Sequence, residues 1–218
     1  MARVRVRQHV NPLSRKYHQP LSIPDWGQIY PCLQQPLHLD IGCGRGKFLL
    51  NMASLYPEIN FLGVEIREPL VIEANEQRDR LGMSNLHFLF CQINLSIEPL
   101  LQSFPPGLLQ WVSIQFPDPW FKTSHKKRRV VQPSLVKAIA DYLADNSIIF
   151  LQSDVEEVAR EMAEHFLVNS CFEQQHQETW LEENPFPIKT EREIATLNKP
   201  ESVYRILLRK KVFYRGNS

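Results

Sequence analysis

The sequence predicts an α/β fold organised around a doubly wound, mostly parallel sheet. Two observations carry that expectation. Short runs rich in β-branched and aromatic residues alternate with longer segments whose apolar residues recur at helical spacing. A glycine turn, GCGRG, directly follows the first of these runs, LHLDI at 37–41, where a strand must turn sharply into a helix.

The elements follow in order. Residues 1–36 contain Pro12, Pro20, Pro24, Pro31 and Pro36 and read as an irregular, extended arm. LHLDI is the first strand, and a helix is expected over 47–56, with Phe48, Leu49, Met52 and Leu55 on one face. INFLGVEI (59–66) is the second strand, and 68–81 is an amphipathic helix closed by Gly82. NLHFLFCQI (85–93) is a strand, IEPLLQSF (97–104) a short helix and LLQWVSIQF (108–116) the fourth strand. A helix over 133–145 starts with proline in its first turn. SIIFLQS (147–153) is a strand, and DVEEVAREMAEHFL (154–167) a helix with Asp154 as its N-cap. The remainder, 171–218, reads as a polar strand, a proline-broken loop and a final strand, SVYRILLRKKVF. The expected organisation is one domain over 37–218 preceded by the arm.

At 218 residues and 43% apolar composition the chain can bury a core of ordinary size. The net charge is +1, but its distribution is uneven. Arg3, Arg5, Arg7, Arg15 and Lys16 stand without an acid among the first twenty residues. Arg205, Arg209, Lys210, Lys211 and Arg215 follow Glu201 without one. With the basic residues at 122–129 these are either one positive surface or three separate solvated patches. Cys32, Cys43, Cys91 and Cys171 form no C-x-x-C pair and no zinc-ligand spacing, so neither a metal site nor a disulfide framework is expected. With no apolar run of membrane length and no secretory signal, the expected location is the cytoplasm, without membrane association.

The glycine turn defines the first functional expectation. Gly42, Gly44 and Gly46 let the backbone approach a ligand at a helix N-terminus. Glu65, at the end of the second strand, has the spacing of a carboxylate that holds ribose hydroxyls. A dinucleotide site would need its third glycine at 47, where this chain has lysine. Asp40 would repel a pyrophosphate but attract an α-amino group. The set therefore suits S-adenosylmethionine better than a nicotinamide cofactor. Its ammonium is expected at Asp40, its ribose at Glu65 and its adenine near 92–94.

FPDPWFKTSHKKRRVV, at 116–131, leaves the fourth strand beside that crevice. Pro117 and Pro119 restrict the backbone around Asp118, whose carboxylate could accept hydrogen bonds from a guanine edge. Trp120 could stack on a base or plug the loop. Lys122, Lys126, Lys127, Arg128 and Arg129 offer cations to a phosphate backbone, with no acid interleaved.

These residues carry a family resemblance. FPDPWFKTSHKKRRVVQPSLV resembles the signature of the tRNA (guanine-N7-)-methyltransferases, and LDIGCGRGKFL, GVEI, LQSD and T-E-R-E extend the similarity over roughly 37–210. The resemblance implies a Rossmann-like class I methyltransferase fold and methyl transfer from S-adenosylmethionine to N7 of a guanosine, position 46, in the tRNA variable loop. It implies cofactor contacts at Asp40, Glu65, Asn94 and Asp118, beside the contacts that the glycine turn itself offers at Gly42 and Gly44; Asp118 is also expected to orient the guanine. It implies tRNA or guanosine contacts at Lys122, Asp154 and the T-x-x-E segment with Thr190 and Glu193. From the residues alone, Asp154 reads as a helix cap and Thr190 with Glu193 as a capping box. The chain departs from the family's pattern in having Asp40 where glutamate is usual. It also offers Gln92, Ile93 and Asn94 where aspartate often follows the third strand, and Phe121 where proline or histidine is more usual. The expected partner is tRNA, and the chain a monomer or homodimer.

Overall fold

A computed structural model describes residues 10–212. Arg3, Arg5, Arg7, Arg215 and Phe213, the last residue of the expected final strand, lie outside the described residues. The strands β1 (Leu37–Ile41), β2 (Asn60–Glu65), β3 (Leu86–Phe90), β4 (Leu109–Gln115), β5 (Ile148–Ser153), β6 (Phe172–Gln174) and β7 (Tyr204–Lys210) form one sheet in the order β3-β2-β1-β4-β5-β7-β6. The first five are mutually parallel; β7 runs antiparallel between β5 and β6. Strand order reverses between β1 and β4, and a crevice opens there at the carboxyl ends of the strands.

Both faces are covered, which explains the nearly continuous apolar character of the central strands. Helices α4 (Ile93–Gln102), α5 (Pro133–Tyr142) and α6 (Glu156–Leu167) supply Ile97, Leu100, Leu135, Ile139, Val158 and Phe166 to the larger core, against Leu39, Ile41, Val64, Ile114 and Leu151. On the other face, α2 (Lys47–Leu55) and α3 (Glu68–Arg80) bring Leu49, Met52, Val71 and Ala74 against Phe61, Leu86 and Phe88. Burying an aliphatic or aromatic side chain of this kind contributes about 1.5–3 kcal/mol.

The structure corrects several expectations. The described part of the arm is docked, not extended: a 3-10 turn spans Arg15–Tyr17 and a one-turn helix, α1, spans Trp26–Ile29. Trp26 and Tyr30 enter the larger core; the indole N–H donates to Ser103 Oγ at 2.8 Å and the Tyr30 hydroxyl to the Phe61 carbonyl at 2.9 Å. Prolines set the path of this segment, but its aromatics anchor it. Helix α4 starts four residues earlier than expected because the Gln92 side chain caps it, accepting from the Asn94 N–H at 2.7 Å. A short helix, α7 (Glu191–Leu197), stands within the segment expected to hold only strands and a loop. Asp154 is not the N-cap of α6; Val155 takes that position, its N–H bound by Ser153 Oγ at 3.1 Å.

Within the basic tail, Arg209 and Lys210 stand away from the loop at 122–129. Arg209 pairs in register with Ile148, at the end of the sheet remote from the crevice. Lys210 there donates to the carbonyls of Ala140 and Leu143 at 2.8 and 2.6 Å.

Candidate active site

Sheet register builds the site. Asp40 is the fourth residue of β1 and stands opposite Ser113 of β4, while Gln115 stands opposite Gln152 of β5 and Gln152 opposite Arg205 of β7. In-register neighbours share a face, so these polar groups form a row across the carboxyl ends of β1, β4 and β5 and the amino end of the antiparallel β7. Ser113 Oγ donates to Asp40 Oδ1 at 2.6 Å and Gln115 Nε2 to the same oxygen at 3.3 Å. Burial pushes the Asp40 carboxyl up to about 6, against the pull of those two hydrogen bonds. His38, behind Ser113 at 2.9 Å, is pushed down to about 3 by burial and is therefore neutral, a state that suits donation to the serine oxygen.

The glycine turn lies next to Asp40. The amides of Gly42 and Cys43 donate to the Val64 carbonyl at 2.8 and 3.1 Å, which ties the turn to β2. A Cβ added at Gly42 or Gly44 would meet no atom within 4 Å, so this part of the turn faces the open crevice. At Gly46 a Cβ would stand 2.3 Å from the Phe88 ring, and φ is +72°; here glycine is needed for packing.

Glu65, at the end of β2, is buried. It accepts from the Gly44 N–H at 3.0 Å, and from the Ile66 and Arg67 N–H groups at 2.9 and 3.0 Å. The Arg67 side chain closes on the same carboxylate. Sequence reasoning missed Arg67, which borders the crevice on both sides of Asp118. Its signal was available: an arginine two residues past the expected ribose acid, at the N-cap of α3.

Asn94 lies in the first turn of α4 and lines the same crevice. Its Nδ2 donates to the Val130 carbonyl at 3.0 Å, while its Oδ1 is buried with no partner among the described residues. An unpaired buried acceptor of this kind fits an exocyclic amino group. Open glycine backbone, a buried carboxylate for an ammonium, a second for a diol and an orphaned acceptor for an amine match the polar groups of S-adenosylmethionine one by one.

Asp118 leaves the end of β4 and lines both halves of the crevice. Phe116 and Trp120, on either side of the Pro-Asp-Pro unit, have φ of +49° and +43°, values that non-glycine residues adopt only under constraint. The constraint is visible. The Phe116 N–H is bound by the Gln152 carbonyl at 2.8 Å, and Arg129 Nε donates to the Pro119 carbonyl at 2.7 Å. Trp120 carries the Arg128 guanidinium 4.9 Å from its ring centre and meets His125 edge-on at 5.7 Å.

The cations of the loop thus divide. Arg129 is buried and ion-paired to Glu161 and, at 3.2 Å, to Glu157. Lys126 pairs with the same two acids at 3.0 and 3.4 Å. The acids that the loop itself lacks come from α6. Arg128 packs on Trp120, and Lys122 and Lys127 are exposed. Of the five expected backbone contacts, Arg129 is the one the fold turns inward.

The two remaining expected sites also separate. Asp154 lines the crevice and is ion-paired to Arg192, whose Nε donates at 2.8 Å. Thr190 caps α7, its Oγ1 accepting from the Glu193 N–H at 3.1 Å. The Glu193 side chain does not close the capping box. It points inward, fully buried, and accepts from Arg205 Nη2 at 2.8 Å, Asn184 Nδ2 at 2.7 Å and Gln152 Nε2 at 3.3 Å.

A sheet of this topology, with a glycine turn and strand-end acids on one crevice, defines an S-adenosylmethionine-dependent methyltransferase of the class I, Rossmann-like type. A family model described as "Putative methyltransferase" matches residues 34–206. The chain is 63% identical over 209 residues to the tRNA (guanine-N(7)-)-methyltransferase of Microcystis aeruginosa, covering 96% of this chain and 99% of that one. It is 59% identical to that of Trichormus variabilis, with 94% and 95% covered. The chain belongs to the tRNA (guanine-N(7)-)-methyltransferase family. The solved structure of the aminoglycoside resistance methyltransferase NpmB1 shares the fold, with a TM-score of 0.52 and 15% identity over 82% of this chain and 89% of that one.

Proposed function

We propose that the chain methylates N7 of guanosine 46 in the variable loop of tRNA, in the cytoplasm. The observation that carries this reading is the placement of Asp118. It is held on a constrained loop over the same cleft that receives Asp40, Gly44, Asp154 and Thr190.

S-adenosylmethionine, when bound, supplies an electrophilic methyl group on a sulfonium. Asp40 holds its ammonium, Glu65 its ribose and Asn94 its adenine amine. Gly42 and Gly44 give the backbone approach. N7 of neutral guanine has an in-plane lone pair and no proton, so the nucleophile needs no general base. What remains is orientation, the kind of contribution that bringing two reactants into line can make large. Asp118 accepts from N1–H and the exocyclic amine on the Watson–Crick edge of guanine, and so orients the base while the opposite edge, which carries N7, stays free. Asp154 and Thr190 bound the side of the cleft where the rest of the nucleotide lies. Lys122, Lys127, Arg128 and Lys126 line the approach of the phosphate backbone, with Lys122 and Lys127 the most open to it.

The test is transfer of labelled methyl groups to unmodified tRNA, followed by digestion and nucleoside identification. Labelled 7-methylguanosine in a transcript with guanosine at position 46, and none when that base is adenosine, supports the full reading. Label in another nucleoside refutes the acceptor, and label that survives the base change refutes the position.

A further inference from the structure

Between the cofactor acid and helix α7 runs an unbroken chain of buried side chains. Asp40, Gln115, Gln152, Glu193 and Arg205 are all less than a tenth exposed. Gln115 Nε2 donates to Asp40, and Gln115 Oε1 accepts from Gln152 Nε2 at 2.7 Å. The same Gln152 nitrogen also donates to Glu193 Oε2. Its two amide hydrogens are therefore divided between the two ends of the chain. One supports the cofactor carboxylate through Gln115; the other holds the root of α7. Its Oε1 is buried with no partner among the described residues, so no other hydrogen bond there fixes the amide.

We propose that Gln152 is a positioning residue that couples RNA contact at α7 to the hold on the cofactor at Asp40. The coupling rests on the reading above that α7 and Thr190 meet the RNA. α7 carries both the residue that lines the cleft, Thr190 at its cap, and the carboxylate that anchors the chain inside, Glu193 in its first turn. Seven residues make a short lever, so a shift at Thr190 moves Glu193 with it. When Glu193 moves, the shared donor of Gln152 shifts between its two acceptors, and the donation of Gln115 to Asp40 follows. Side chains linked in one low-dielectric network respond together, and apolar replacement of one link separates the ends. The linkage is reciprocal: whatever RNA does to cofactor affinity, cofactor does to RNA affinity by the same factor.

The experiment measures the Kd of S-adenosylhomocysteine by calorimetry, with and without saturating unmodified tRNA, for the wild-type chain and for Gln152→Met and Gln115→Met. tRNA binding is followed separately by gel shift, and folding by thermal melting. The wild type is expected to bind S-adenosylhomocysteine about fivefold or more tightly when tRNA is present. Each variant that melts cooperatively is expected to bind tRNA and S-adenosylhomocysteine separately but to lose that difference. Two substitutions at successive links guard against one failing to fold. An undiminished difference in both variants, or no difference in the wild type although tRNA binds, overturns the proposal. A wild type that binds no tRNA overturns it together with the reading on which it rests, and the gel shift tells the two failures apart.

Discussion

Arg67 closes its guanidinium on both oxygens of Glu65, Nε on Oε1 at 3.0 Å and Nη2 on Oε2 at 2.8 Å. The acid proposed to hold a ribose is thus already engaged in a two-pronged, charge-assisted pair, the strongest kind of side-chain hydrogen bonding. A diol can bind Glu65 only by sharing or displacing that fork. Arg67 therefore keeps a buried charge satisfied.

Glu65→Gln removes the charge that holds the fork and puts an N–H₂ donor in place of one of the two acceptor oxygens. Hydrogen bonds to charged groups contribute about 1.5–3 kcal/mol each. The Kd for S-adenosylhomocysteine is expected to rise at least about tenfold, as calorimetry will read directly. An unchanged Kd would mean that Glu65 serves only Arg67.

Asp40 sets a pH dependence. Its folded-state carboxyl is raised to about 6 from an ordinary value of 3.8, because burial disfavours the charged form. The folded state thus binds its proton more tightly than the unfolded state. This group's contribution to stability is fully present below about 4 and is lost as pH rises through about 6. Ligand binding runs the other way, since an ammonium needs the ionised carboxylate. The affinity for S-adenosylhomocysteine is expected to increase from pH 5 to about 7.5, with proton release near pH 6 detected by calorimetry in buffers of different ionisation enthalpy. Asp40→Asn should bind weakly and flatten the profile.

The basic loop offers a contrast within three residues. Arg129→Ala removes the buried cation from Glu161, leaving it only Lys126 at 3.4 Å among the described residues, and frees the Pro119 carbonyl, so a stability loss of about 1–3 kcal/mol is expected in urea unfolding. Lys127→Ala, at an exposed position, should leave stability within about 0.5 kcal/mol. It should weaken tRNA binding and reduce the magnitude of its salt slope by about 1. Equal stability losses for the two would refute the division of roles.

What the sequence made legible was local. Asp40, Glu65 and Asp118 each sit at a strand end that apolar patterning marks, next to a glycine turn or between prolines, and the structure brings all three to one crevice. What stayed hidden depends on distant pairing. Arg129 looked like another cation in a run until α6 supplied Glu157 and Glu161. Glu193 looked like half of a capping box because the spacing to Thr190 is right. Its burial follows from Arg205, Asn184 and Gln152 on three other segments. The row from Asp40 to Arg205 required the register of four strands, which no single strand encodes. Trp26 and Tyr30 were passed over because prolines dominate the segment, although two buried aromatics outweigh its irregular backbone.

The central claim is that Asp118 orients the guanine edge. Single-turnover methyl transfer to unmodified tRNA by Asp118→Asn, at saturating cofactor and RNA, tests it most directly. The substitution keeps the shape of the side chain but removes the charge and puts an N–H₂ donor where acceptors are needed. The account predicts a rate constant at least about a hundredfold below wild type, with tRNA binding retained. Near-normal turnover by the asparagine variant would contradict it.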